Sequence, residues 1–195
     1  MDKIKGEGCE KFKIFPLHEV FYIECVISAA ESAIRSWEEL NKIISNSELL
    51  VGNGLKTIDL SENIINQAGI ISKYFYPPSN KGIHKFRSEK LRESYDIDNF
   101  NLLEERGFRN HIEHFDERLD KFLKDCGAGV IIPKRLFKTS EEIDSIINVF
   151  KAYVINDFKL ISLSQEIELK PLVEEIYRVY NLSIDFIENR GRLPR

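Results

Sequence analysis

Arg109-Asn110-His111-Ile112-Glu113-His114 holds the side chains of this sequence best equipped for chemistry. A histidine trades protons near neutral pH. An arginine supplies a permanent charge for an anionic phosphoryl transition state. Together they suit metal-free cleavage of a phosphodiester by the neighbouring ribose 2′-hydroxyl, a reaction open to RNA and closed to DNA. On a helix, Arg109 and His114 stand about 140° apart around the axis and roughly 7.5 Å along it. One helix cannot bring both to one atom. The i,i+4 neighbours do meet: Asn110 can fix the orientation of His114, and Glu105 and Glu113 can hold Arg109 extended.

The element expected to position them is a long central helix from about Ile97 to Lys124. Phe108, Ile112, Phe115, Leu119 and Phe122 recur at spacings of four and three, which is one buried helical stripe. Arg109, Asn110, Glu113, His114 and Glu117 then fall away from it. Gly107 costs such a helix about 1 kcal/mol relative to alanine, and close approach by another helix is one reason to accept that. Gly127-Ala128-Gly129 ends the element.

Around it the periodicity predicts further helices. Val20, Ile23, Ile27, Ala30, Ile34, Trp37 and Ile44 mark a first helix from Leu17, after a loosely held lead-in. Gly52-Asn53-Gly54 closes the next connection. Leu60, Ile64, Ala68, Ile71 and Phe75 mark a second helix that Pro77-Pro78 stops. Beyond the central helix the period changes. Val130-Ile131-Ile132 is β-like, Thr139 to Glu142 offers a capping box for a brief helix, and 150–155 with 158–163 reads as a hairpin. Pro171 opens a last helix with Val173, Ile176, Tyr180, Ile184 and Ile187 inward. A basic tail, Asn189 to Arg195, is expected to fray. The predicted fold is mainly α: one domain with an antiparallel helical bundle over 17–126, then a small β-hairpin and the C-terminal helix over 127–195.

The stretch from Ser79 to Arg92 carries five Lys or Arg with one acid, in a chain of formal charge -4. It reads as a solvated loop, or as a phosphate contact through Lys81, His84, Lys85, Arg87 and Lys90, with Phe86 as a stacking group. The overall charge gives no general attraction for nucleic acid, so a polyanion would need such a local patch. Cys9, Cys25 and Cys126 are odd in number and scattered, which fits reduced cytoplasmic thiols better than a disulfide frame or zinc site. No apolar run approaches a membrane span. His111-x-x-His114 with Glu104 and Glu117 suggests a carboxylate-bridged centre, but such a centre needs Glu-x-x-His on each of two helices, and here residue 111 is His and one such helix is visible, so no metal is expected.

Arg109 to His114 resembles the Rx4-6H motif of the HEPN superfamily of helical-bundle proteins, including the polar residue directly after the arginine. Many members are metal-independent RNases of toxin–antitoxin, phage-defence and RNA-processing systems. They act as dimers whose motifs face each other across a cleft. The resemblance implies Arg109 and His114 as the catalytic pair, Asn110 as support, no cofactor, a homodimer, and RNA as the ligand. An antitoxin or other protein partner is also implied. Two other readings stay open: a HEPN-like dimer that binds RNA, nucleotide or protein without cleavage, and a merely ion-paired, solvated helix face.

Overall fold

Helix α1 (Pro16–Ile44) supplies the wall against which most of the core is built. Pro16 takes the first helical position, where its missing N–H costs nothing. Ile23, Ile27, Ala30 and Ile34 of the expected stripe are buried, and Trp37 and Ile44 are half-buried. The structure, a computed structural model, describes residues 14–97, 102–104, 114–127, 130–144 and 147–194.

A short helix α2 (Ser47–Asn53) follows, which the apolar pattern did not announce. Its cap explains it: the Asn46 side chain accepts hydrogen bonds from the N–H groups of Glu48 and Leu49, at 2.9 and 3.1 Å. Gly54 ends it. A side chain there would meet the Leu50 carbonyl oxygen at 2.7 Å and the Leu136 side chain, so only glycine allows this approach. Helix α3 (Lys56–Phe75) then runs opposite to α1. Lys56 pairs with Glu39, Asn63 donates to Ser36 at 2.8 Å, and Tyr74 meets Tyr22 edge-on at 6.4 Å.

Ser79 to Arg92 is not a loop. Helix α4 (Gly82–Tyr95) occupies most of it, with Ser88, Leu91 and Tyr95 inward. The long cationic stems supply the rest of its packing: Arg87 lies over the Tyr74 ring at 5.5 Å and Arg92 over Tyr76 at 5.4 Å. Tyr95 is sandwiched edge-on between Phe75 and Phe186, at 5.0 and 4.9 Å.

The expected central helix from Ile97 to Lys124 is not one helix. Asp96, in the left-handed region at φ 48, ends α4. Leu102 to Glu104 forms a turn whose Leu102 and Leu103 N–H groups bond the Glu175 carboxylate, at 3.0 and 2.9 Å, instead of helical carbonyls. Ser72 donates to the Leu103 carbonyl at 2.6 Å, and the Leu103 side chain is buried. Helix α5 (Phe115–Asp125) starts only after His114. Residues 105–113, including Gly107, Phe108 and Ile112, lie outside the described residues.

The expected hairpin is present but belongs to a larger sheet. Strands β1 (Val130–Phe137), β2 (Ile147–Val154), β3 (Lys159–Ser162) and β4 (Gln165–Glu168) lie in that spatial order. β1 pairs parallel to β2, and the other pairs are antiparallel. The β-like run does not stop at Pro133. The strand passes through it, because β1 is an edge strand and Pro133 falls in a gap of the register between Ile132 and Lys134. Between Phe137 and Ile147 the chain must return the length of β1, roughly 23 Å. Ten residue steps reach about 33–36 Å at most, too short for a full crossover helix, and among its described residues the connection forms the 3₁₀ turn Ser140–Glu142. The expected capping box is absent there, and Ser140 is held instead by Asp157 through both its N–H and its hydroxyl.

One sheet face, with Tyr153 and Leu160, joins the helical core. Phe137, Val149, Ala152, Val154 and Ile161 form a second, smaller cluster with Ile143 of the β1–β2 connection. Helix α6 (Leu169–Glu188) begins two residues before Pro171 and returns along α1. Burying Leu172, Val173, Ile176, Val179 and Phe186 contributes roughly 8–15 kcal/mol before entropy is counted. The tail is held rather than frayed. Glu19 accepts the Leu193 N–H at 3.1 Å, Lys90 donates to the Pro194 carbonyl at 2.8 Å, and Gly191, at φ 65, packs on Val20. Among the described residues the fold is mainly helical with a small four-stranded sheet before the last helix, and no helix is long and apolar enough to cross a membrane.

Candidate functional site

His114 is the residue at which α5 begins. Its backbone, at φ -120 and ψ 36, is not helical, but its carbonyl accepts the first bond of the helix from the Arg118 N–H at 3.1 Å. The imidazole makes no capping bond. Nδ1 lies 3.6 Å from Glu117, and the ring is more than half exposed, so it can reach a bound ligand. Asp116 and Glu117 occupy the first turn, where a negative charge complements the positive end of the helix dipole. Arg109 and Asn110, the other expected catalytic residues, lie outside the described residues.

The next residue, Phe115, turns inward and meets Phe150 of β2 edge-on at 6.2 Å. Lys151 lies over both rings, its Nζ 5.1 Å from the centre of Phe115 and 5.4 Å from that of Phe150. The same ammonium pairs with Glu62 of α3 at 2.5 Å, and both side chains are largely covered, at 16% and 28% exposure. Such a pair loses much of its hydration, so its Coulomb attraction is partly cancelled by desolvation.

Why a lysine stands there follows from the register. Lys134 of β1 and Lys151 of β2 are direct neighbours across a parallel pair, a repulsive placement. Each is answered by its own acid one turn apart on α3: Lys134 by Asp59 at 2.9 Å, Lys151 by Glu62. The two ion pairs dock α3 on the sheet.

Between these elements a pocket of about 260 Å³ opens. Helix α3 lines it with Glu62, Ile65 and Asn66, and α5 with Phe115. The sheet contributes Lys151, Leu160 and Ser162. Ser162 stands directly opposite Lys151 across β2 and β3, and the next pair on that face is Tyr153 with Leu160. Tyr153 is fully buried, and among the described residues its hydroxyl has no hydrogen-bond partner. Burial alone pushes its phenol well above the ordinary value of 10. No known protein family, curated protein or solved structure matches the chain.

The basic residues of α4 do not converge on this pocket. Lys81 precedes the helix, and with His84 and Lys85 it is exposed. Lys85 pairs with Glu89 at 3.7 Å. Arg87 donates to the Lys73 carbonyl at 3.0 Å, and Lys90 is engaged with the tail. At 100° per residue, Arg87 and Lys90 leave one flank of α4 and Lys85 and Arg92 the other. Arg87 attaches eleven residues along α3 from Glu62, about 16 Å in helical rise. The structure therefore separates the α4 cations from the pocket and splits them from one another.

Sequence reasoning missed Glu62, Lys151 and Ser162, and it placed Phe115 in a core stripe. One signal was there. Lys151 interrupts Phe150-Lys151-Ala152-Tyr153-Val154, and strand alternation puts it on the same face as Tyr153. A cation on the apolar face of a strand needs a partner, and Glu62, on a helix turned toward the sheet, is one.

Proposed function

We propose that this chain is a HEPN-like, metal-independent endoribonuclease acting on the face that carries His114. The observation that supports the reading best is the placement of His114. Its imidazole is accessible, and the next residue, Phe115, lines a pocket that also holds a cation and hydrogen-bonding groups. Single-stranded RNA is recognised by such means: splayed bases stack on aromatic rings and are read along their edges. His114 takes the proton of a ribose 2′-hydroxyl. The 2′-oxygen bonds to phosphorus as the P–O5′ bond breaks. The 5′-oxygen takes a proton from a second acid, which solvent or the second copy of a homodimer supplies. Arg109 balances the charge that gathers on the phosphoryl oxygens, and Asn110 supports His114. The products are a 2′,3′-cyclic phosphate and a 5′-hydroxyl. An antiparallel bundle of α1, α3 and α6 is the scaffold this reading requires, and the opposed directions of α1 and α3 agree with it.

The test is cleavage of end-labelled RNA by the purified chain in the presence of EDTA. His114→Ala and Arg109→Ala should each slow formation of the cyclic-phosphate product by roughly 10²–10⁴, and DNA of the same sequence should stay intact. Cleavage that survives in both variants, or that EDTA abolishes, overturns the mechanism. A folded chain that binds RNA and never cuts it would be the non-catalytic form of the same protein.

A further inference from the structure

The pocket between α3, α5 and the sheet holds more chemistry than a gap in packing needs. A gap left by imperfect packing would be lined by apolar atoms. Here Ile65 and Leu160 supply an apolar wall and Phe115 an aromatic one, while Glu62 and Lys151 place a carboxylate and an ammonium side by side. At about 260 Å³ the space is smaller than a usual drug-sized site. It suits one flat ring system with its edge toward the ion pair.

The ion pair selects among rings. Among the four RNA bases, only guanine offers two adjacent N–H donors, N1–H and N2–H, on its Watson–Crick edge, with an acceptor, O6, beside them. Two parallel donors match the two oxygens of one carboxylate, and O6 matches an ammonium. Adenine, cytosine and uracil each present a single donor direction on that edge. We infer that this pocket is a guanine-binding site, with Glu62 accepting from N1–H and N2–H, Lys151 donating to O6, and Phe115 stacking on the ring. Asn66 stands one turn from Glu62 on the same face of α3, within reach of the purine's other edge. The two rings over Lys151 hold its ammonium where the base needs it.

The base can belong to a single-stranded RNA or to a free nucleotide. Its RNA source rests on the endoribonuclease reading above, and in that case the pocket sets which residue lies beside the cut. Bases read by such sites are turned out of their stack.

Calorimetry on the full chain with guanosine and adenosine monophosphates, and with a uridine heptamer with and without one central guanosine, tests both. Guanosine monophosphate should bind saturably and at least about tenfold tighter than adenosine monophosphate. Glu62→Gln, which turns one carboxylate oxygen into a donor, should erase that preference. Phe115→Ala should weaken both nucleotides. Because variants can misfold, a second readout uses the unaltered chain: at equal concentration guanosine monophosphate should raise its melting temperature more than adenosine monophosphate does. Guanosine-dependent binding of the heptamer, lost in Glu62→Gln, assigns the base to RNA. Nucleotide binding with an indifferent heptamer supports the pocket with a free nucleotide and removes RNA from it. Equal binding of the two nucleotides, no binding, or a folded Glu62→Gln with its preference intact overturns the inference, even if RNA is cut at His114.

Discussion

Glu175→Ala should cost about 2–4 kcal/mol, although the side chain touches no part of the candidate site. Both of its oxygens are used, one on the Leu102 N–H and one on the Leu103 N–H. Hydrogen bonds to a charged group contribute about 1.5–3 kcal/mol each, and the half-buried position of Glu175 lets water recover part of the loss. Leu103 is fully buried, so the turn cannot simply swing out: that would also expose a side chain worth roughly 1.5–3 kcal/mol. The Ser72–Leu103 bond remains in the variant and limits the damage. Glu175→Gln keeps one acceptor oxygen and should lose about half as much. Urea denaturation measures this as a lower midpoint at unchanged slope. The matching fall in melting temperature is about 2–4 °C per kcal/mol for a chain of this size. Hydrogen exchange should quicken at the Leu102 and Leu103 amides first. A loss below about 0.5 kcal/mol, the level of an ordinary surface substitution, would refute the idea that this carboxylate anchors the turn. So would a Gln variant as weak as the Ala variant.

Four further outcomes are expected. His114→Ala should lower RNA cleavage by roughly 10²–10⁴ while changing stability by no more than about 0.5 kcal/mol, read from cleavage rates beside urea midpoints. Lys151→Met should lose about 1–2 kcal/mol by leaving Glu62 unpaired, and adding Glu62→Leu should restore most of it; a double-mutant cycle without coupling would remove the pair's structural role. Tyr95, pushed up to about 12 by burial against its bond to Ser183, makes stability fall as pH rises from about 10 to 12. The unfolded chain loses that proton first, so Tyr95→Phe should flatten the alkaline limb, followed by tyrosinate absorbance and circular dichroism. Glu19→Ala, which strands the Leu193 N–H, should cost about 1–3 kcal/mol by thermal denaturation.

The helices α1, α3 and α6 were legible because each buries one stripe against neighbours on one side, so the 3.6-residue period survives in the sequence. The break before α5 was not legible. The apolar period runs on through Phe108, Ile112 and Phe115, and what ends α4 and holds the turn is the backbone of Asp96 and the carboxylate of Glu175 on α6. Helix α4 was hidden for the opposite reason: arginine stems over Tyr74 and Tyr76 do the packing that apolar residues would advertise. β4, Gln165-Glu166-Ile167-Glu168, has one apolar residue and is recognisable only once β3 is beside it. Of the candidate site, His114 was visible from its residue type. Glu62 and Lys151 come from a helix and a strand far apart in the chain, and only the docking of α3 on the sheet makes them a pair.

The wall formed by α1 has a consequence for how this protein is made. Helix α6, which covers much of that wall, begins about 125 residues after α1 ends, which is roughly 6–25 s of elongation on a ribosome. Through that interval α3 can already shield one flank of α1, while the flank meant for α6 stays open to water and to chaperones. Codon changes that slow the stretch between β1 and α6 should therefore lower the soluble yield without altering one residue of the product.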